Sequence, residues 1–225
     1  PDQRGFGSVP LGGVPPSLDV AADDLAGHLD ERDVGSVVLA GCSMGGYVAM
    51  AFLRRHRNRV RGLALLATRG TADTTRAAAE REAFATQVLE DTMRDQLIGR
   101  TTPLLLGAAT RARRPDTVAH VMTVATAAAP QSVAWAQRAV AVRPDSTEVL
   151  RSADIPAVVI AGEEDELVSV DEARSLAQAL PRGRLVTVCR AGHLLPLEAP
   201  DLVTQILMSL LDESATAEPN REGAC

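Results

Sequence analysis

The sequence predicts an α/β fold: a mostly parallel sheet with flanking helices and a helical insertion. Three observations carry this. Val37 to Ala40 is a short apolar run of strand character, and it passes through Gly41-Cys42-Ser43-Met44-Gly45 straight into an apolar pattern at helical spacing that reaches about His56. Val60 to Ala67 and Ile155 to Ala161 are apolar runs of strand length, too short for buried helices, and strands that alternate with helices pack as a parallel sheet. Between them, from Thr71 to about Leu150, helical patterns follow one another with no convincing strand.

In order, the chain opens on a polar, glycine-punctuated loop, Pro1 to Ser8. Ser17 offers an N-cap to a helix whose stripe Val20, Ala21, Leu25 and Leu29 extends to about Asp33, with Gly35 as its stop. After the Val60 strand, helices are expected over Thr74 to Ile98, Pro115 to Ala128 and Gln131 to Val142, punctuated by Pro103, Pro115, Pro130 and Pro144. This stretch reads as a lid. Its Trp135, Met93, Met122, Leu104, Leu105 and Leu106 are either ordinary core of a helical subdomain or substrate-lining residues, a choice that depends on their position relative to Ser43. Ser169 with Glu172 forms a capping box for a helix to Ala179, Arg184 to Cys189 is the last strand, and Pro200 opens a closing helix to Leu211. The resulting organisation is a first core segment over 1–70, a lid over 71–150, a second core segment over 151–212 and a disordered tail over 213–225.

Composition excludes several function classes. A formal net charge of −6 disfavours a nucleic-acid surface, which needs clustered cations. The group Arg54, Arg55, Arg57, Arg59 and Arg61 reads instead as the solvated end of a helix, where cations complement the dipole. No apolar run approaches the roughly 20 residues of a membrane span. Cys42, Cys189 and Cys225 do not pair off and have no metal-ligand spacing, so reduced thiols in a cytoplasmic setting, with no metal and no cofactor, are expected.

The chemistry converges on Ser43. Gly41-x-Ser43-x-Gly45 between a strand and a helix is the pattern of a nucleophile elbow, where the serine is held in a strained conformation and both glycines are expected to relieve crowding. A serine hydroxyl needs a base, and the base needs an acceptor. Of the four histidines, His28, His56 and His120 lie within or at the end of helical patterns. His193 follows a strand directly, at the predicted sheet edge where Ser43 lies, and such strand-end loops carry the sites of parallel sheets. The acid lies in the preceding strand-end loop, where Glu163, Glu164, Asp165 and Glu166 compete and spacing does not choose.

Four motifs in this order, Asp2-Gln3-Arg4-Gly5-Phe6-Gly7, Gly41-Cys42-Ser43-Met44-Gly45-Gly46, Gly162-Glu163-Glu164-Asp165 and Ala191-Gly192-His193, resemble the Ser-dependent α/β-hydrolase family, in particular its small esterases, enol-lactonases and haloperoxidase-like enzymes. The resemblance implies the α/β-hydrolase fold, no cofactor, and a mechanism for cleaving a small ester, thioester or lactone. Ser43 would be the nucleophile, His193 the base, Asp165 the acid that orients it, and the Met44 backbone N–H one oxyanion donor, with Asp2 and Arg4 bracing the neighbourhood. A ligand- or partner-binding member without activity, or a cofactor-free haloperoxidase or perhydrolase, are the alternative functions. In the family four strands and a helix precede the Asp-x-Arg-Gly loop and supply a second oxyanion N–H. None of these stands before it here, so the N-terminal strands are expected to be missing, with an upstream segment or a second polypeptide completing the sheet. Val37 to Ala40 is then expected to form an apolar edge.

Overall fold

The computed structural model describes residues 1–216. Four parallel strands, β1 (Val37–Cys42), β2 (Val60–Leu66), β3 (Ala157–Gly162) and β4 (Gly183–Val188), form one sheet in that order. The register aligns Leu39 with Leu63, Leu65 with Val159 and Val159 with Leu185. β2 and β3 lie inside the sheet with apolar residues facing both layers, which explains why they read as continuous apolar runs. Successive β2 residues alternate faces, Leu63 and Leu65 into one core and Ala64 and Leu66 into the other. Among the described residues β1 is an edge strand, as expected, and exposes Ala40.

One face of the sheet is covered by α1 (Leu18–Asp30), α2 (Met44–Arg55) and α9 (Val170–Ala179), the other by α11 (Pro200–Thr216). Ser17 caps α1 and Ser169 with Glu172 forms the expected capping box on α9. α1 stops at Asp30, three residues before the expected Asp33, and it is Asp33 rather than Gly35 that takes the left-handed conformation, φ 54°. The arginines at and just beyond the end of α2 are also placed differently from the sequence expectation. Arg54, Arg55 and Arg59 reach across to Asp19, Asp23 and Asp30, the acidic stripe of α1, so this basic end is paired and not simply solvated. Each exposed pair contributes at most about 1 kcal/mol, and the apolar contact between the helices stabilises the pairing of α1 with α2 more than the ion pairs do.

The closing helix overturns a second expectation. α11 continues past Leu211 to Thr216, so residues 213–216 are helical and not a disordered tail. Ser214 is buried, donates to the Leu210 carbonyl at 2.7 Å and packs on Gly62, where a Cβ would lie 2.2 Å from its Oγ. Glu213 accepts from Arg184. Residues 217–225 lie outside the described residues, with Cys225 among them.

Between β2 and β3 the regular elements are all helical: α3 (Thr75–Gln87), α4 (Asp91–Thr101), α5 (Ala108–Arg113), α6 (Pro115–Ala127), α7 (Pro130–Ala141) and α8 (Thr147–Arg151), with a 3₁₀ turn at Thr102–Leu105. The single helix expected over 74–98 is two. Its break at Val88–Glu90 turns α4 back so that Leu97 joins Ala85, Val88 and Ala134 in one small core. The ends of this insertion are tied together at Asp73, whose carboxylate accepts from Arg81 on α3 and pairs with Arg143 just after α7. Arg143 also caps Thr71 and Val140 carbonyls and stacks 4.0 Å above the ring of Tyr47 on α2. No helix among the described residues is long and apolar enough to cross a membrane.

Candidate active site at the carboxyl edge of the sheet

β1 runs into α2 with one residue between them, and that residue is Ser43 at φ 53°, ψ −116°. A non-glycine residue there stores roughly 1–3 kcal/mol of strain, which the surroundings must hold. They do so through the Ser43 N–H, which donates to the Leu66 carbonyl of β2 at 2.8 Å, and through close backbone approach on both sides. A Cβ on Gly41 would lie 2.2 Å from the Gly45 carbonyl oxygen, and one on Gly46 would lie 2.5 Å from Thr68 Cγ2. Gly45, expected from the motif to relieve crowding, has nothing within 4 Å of a built Cβ, so the second steric requirement belongs to Gly46. Gly41→Ala is therefore expected to destabilise the protein by about 3 kcal/mol, whereas Gly45→Ala, in a helix with room for the methyl, leaves stability equal or raises it by up to about 1 kcal/mol. Urea unfolding of the two variants checks the contrast.

The loop after β3 chooses among the four acids. Its backbone is laid along β4 by Glu163 N–H to the Val188 carbonyl and Glu164 N–H to the Ala191 carbonyl. Asp165 alone turns inward, with its side chain 1% exposed, and its Oδ1 accepts from the N–H groups of Leu167 and Val168 at 2.8 and 3.0 Å. Glu164 accepts from the Ala109 N–H, Glu166 pairs with Arg111, and Glu163 accepts from Cys189. Asp165 Oδ2 lies 2.9 Å from His193 Nδ1, and His193 Nε2 lies 2.6 Å from Ser43 Oγ. Burial pushes the Asp165 carboxyl up, but its hydrogen bond from His193, with the two backbone N–H donors, holds it below the usual carboxylate range. An ionised Asp165 accepts only, so His193 donates from Nδ1 and presents Nε2 as an acceptor to the Ser43 hydroxyl.

Three side chains from three strand-end loops, in the chain order Ser43, Asp165, His193, thus form one hydrogen-bonded relay. Met44 is the first residue of α2, so its N–H has no intrahelical acceptor and borders Ser43. The other histidines lie apart: His28 is beside Glu31, His56 bonds Asp23, and His120 is exposed. Arg4 makes a bidentate bond to Asp24 of α1 at 2.6 and 2.8 Å, and Asp2 accepts from the Ser8 N–H, so both brace the opening loop. Trp135 is core: it is buried with Tyr47 and Leu18, and its Nε1 donates to the Val14 carbonyl at 2.9 Å. Leu106 is buried, while Met93 and Leu104 are exposed. Cys42 adjoins Ser43, and burial, with the charges of Asp165 and Glu198, pushes its thiol up to about 12, far from thiolate chemistry at neutral pH. One residue that sequence reasoning missed is Glu198, whose carboxylate is bonded to the His193 loop. Its signal in the sequence is slight, a proline-flanked turn from Pro196 to Pro200 that brings the chain back to the loop it has just left.

A parallel sheet between helical layers, with a serine at a strained strand-to-helix turn bonded to a histidine and an aspartate from later strand ends, defines an α/β hydrolase. Residues 1–206 match the alpha/beta hydrolase family model, and the chain belongs to this family. An esterase from Thermogutta terrifontis is 33% identical, with a TM-score of 0.90 over 95% of this chain and 78% of that one. The enol-lactonase of Burkholderia xenovorans is 25% identical, with a TM-score of 0.84 over 94% and 79%. Est816, an enzyme that degrades N-acyl homoserine lactones, is 25% identical, with a TM-score of 0.74 over 92% and 80%. No curated protein shows significant similarity to the sequence.

Proposed function

We propose that this protein is a serine hydrolase that cleaves a small carboxylic ester, thioester or lactone through an acyl-enzyme on Ser43. The observation that carries the reading is the continuous relay Ser43 Oγ to His193 Nε2 at 2.6 Å and His193 Nδ1 to Asp165 Oδ2 at 2.9 Å, with the serine already at the strained turn. In the reaction, Ser43 Oγ attacks the carbonyl carbon while its proton passes to His193 Nε2. The new imidazolium is stabilised by Asp165, and the tetrahedral oxyanion draws on the Met44 N–H at the positive end of α2. Collapse breaks the ester C–O bond, and the leaving oxygen takes the proton back from His193. Water then attacks the acyl-enzyme with His193 again as base, releasing the acid and restoring the serine.

The esterase and lactonase relatives support ester or lactone substrates, and the run of helices between β2 and β3 supports reading residues 71–150 as a lid that shapes the acyl pocket. A fluorophosphonate probe tests the reading. The folded wild-type protein should become labelled with loss of p-nitrophenyl acetate hydrolysis, and Ser43→Ala should take no label. Folded wild-type protein that stays unlabelled overturns the assignment of Ser43 as nucleophile.

A further inference from the structure

We infer that Glu198 is the positioning residue of the site: its carboxylate holds the catalytic histidine's loop and ties that loop to the helical insertion. The inference rests on the role of His193 proposed above. Glu198 lies at the end of the short helix α10 (Leu195–Glu198), which folds back on the His193 loop, and its Oε1 accepts from the Gly192 N–H at 3.0 Å and the Leu194 N–H at 3.2 Å. Those two amides flank His193. The peptide group joining His193 to Leu194 is also held at its other end, where the Cys42 thiol, one residue before Ser43, donates to the His193 carbonyl at 3.6 Å. The ring that must sit 2.6 Å from Ser43 Oγ is therefore aimed by a backbone pinned on both sides of its Cα.

The second oxygen does different work. Glu198 Oε2 accepts from the Gly107 N–H of the insertion at 2.8 Å, and Gly107 packs so closely on the loop that a Cβ on Gly192 would lie 2.3 Å from its nitrogen. The same stretch is bonded to the site at further points: the Leu194 N–H is shared between Glu198 and the Leu105 carbonyl, Arg114 donates to the Glu198 carbonyl, and the Ala109 N–H to Glu164, next to Asp165. One carboxylate thus joins the base-bearing loop to the segment 105–114. A carboxylate suits the position because it accepts from several N–H groups at once and donates to none. Charge-assisted bonds of this kind are about twice as strong as neutral ones.

The two oxygens give distinguishable variants. In Glu198→Gln the single amide oxygen can still accept from Gly192 and Leu194, but an NH₂ faces Gly107. In Glu198→Ala both sets are lost. The experiment measures kcat and KM for p-nitrophenyl acetate, normalised to protein that takes the fluorophosphonate label, with the labelling rate and limited proteolysis of residues 102–114. Glu198→Ala is expected to lower kcat and the labelling rate about 10- to 100-fold with KM within threefold, since loss of aim by 1 Å costs rate and not ground-state binding. Glu198→Gln is expected to keep kcat within about threefold of wild type while the 102–114 segment is cleaved faster. A purely packing role moves the melting temperature and leaves turnover per labelled site unchanged in both variants, and that result overturns the inference. If Glu198→Ala does not fold, a Glu198→Gln variant whose proteolysis matches wild type overturns it as well. Wild-type protein that takes no label overturns the nucleophile assignment first, whereas labelled wild type with an unaffected Ala variant overturns the Glu198 inference alone.

Discussion

Asp165→Asn is expected to lower kcat by about 10⁴-fold while the protein stays folded and substrate binding changes little. The amide matches the carboxylate in size and its oxygen can still accept from the Leu167 and Val168 N–H groups at the Oδ1 position. The NH₂ would then face His193 Nδ1, at 2.9 Å in the native site, and two donors cannot share that bond. The ring is driven to the tautomer that carries its proton on Nε2, where it can no longer accept the Ser43 proton, and the imidazolium that forms during attack loses its counter-charge. Steady-state kinetics against p-nitrophenyl acetate check this, and a loss under tenfold would show that Asp165 does not orient the base. The same variant has a signature in acid. Asp165 is held below the ordinary carboxylate value in the fold, so its contribution to stability is fully present above the unfolded pKa of about 3.9 and is lost as pH falls through the lowered folded value. Wild-type stability should therefore drop across that acid window, and Asp165→Asn should flatten this component of the drop.

Asp73→Ala is expected to destabilise the protein by about 3–5 kcal/mol, seen as a lower urea midpoint at unchanged m-value. The Asp73 and Arg143 side chains are 1% and 5% exposed, and Arg81 shares the same carboxylate. Removing the aspartate leaves a buried guanidinium without its anion, the costly way to break such a pair. Thr71, Val140 and the face of Tyr47 still surround Arg143, but carbonyls and a ring do not neutralise its charge. Burial raises the Asp73 carboxyl and the two arginines more than offset this, so the acid form is disfavoured in the fold. Because Tyr47 lies on α2, one turn beyond Ser43, the variant should also lower the fluorophosphonate labelling rate.

Much of the fold was legible because its signals are local. Apolar runs of strand length, the caps at Ser17 and Ser169 and the strand–turn–helix at Ser43 each state their structure within a few residues, and the strands fall within about two residues of their expected bounds. The errors are those of long range. Nothing local shows that α3 and α4 must part at Val88 so that Leu97 can return to Ala85, that α11 keeps its last turn because Ser214 packs on Gly62, or that the arginines at the end of α2 meet the aspartates of α1. Gly45 failed for the same reason, since the motif marks the position but only the packing shows that the crowded one is Gly46.

By itself the sequence determined the alternation that makes a parallel sheet and the placing of Ser43, the acidic loop 163–166 and His193, in that order, at strand ends on its carboxyl edge, since these follow from periodicity and turn chemistry along the chain. Among four adjacent acids spacing made no choice and the family resemblance pointed to Asp165; tertiary structure supplies the physical ground, since only Asp165 is buried against the histidine, while Glu163, Glu164 and Glu166 bond elsewhere. It also decided that Glu198 returns to hold the histidine loop and the insertion together. The physical reason is that a hydrogen bond is set by direction and by a few tenths of an ångström, and residues distant along the chain acquire that geometry only when helices and sheet are packed.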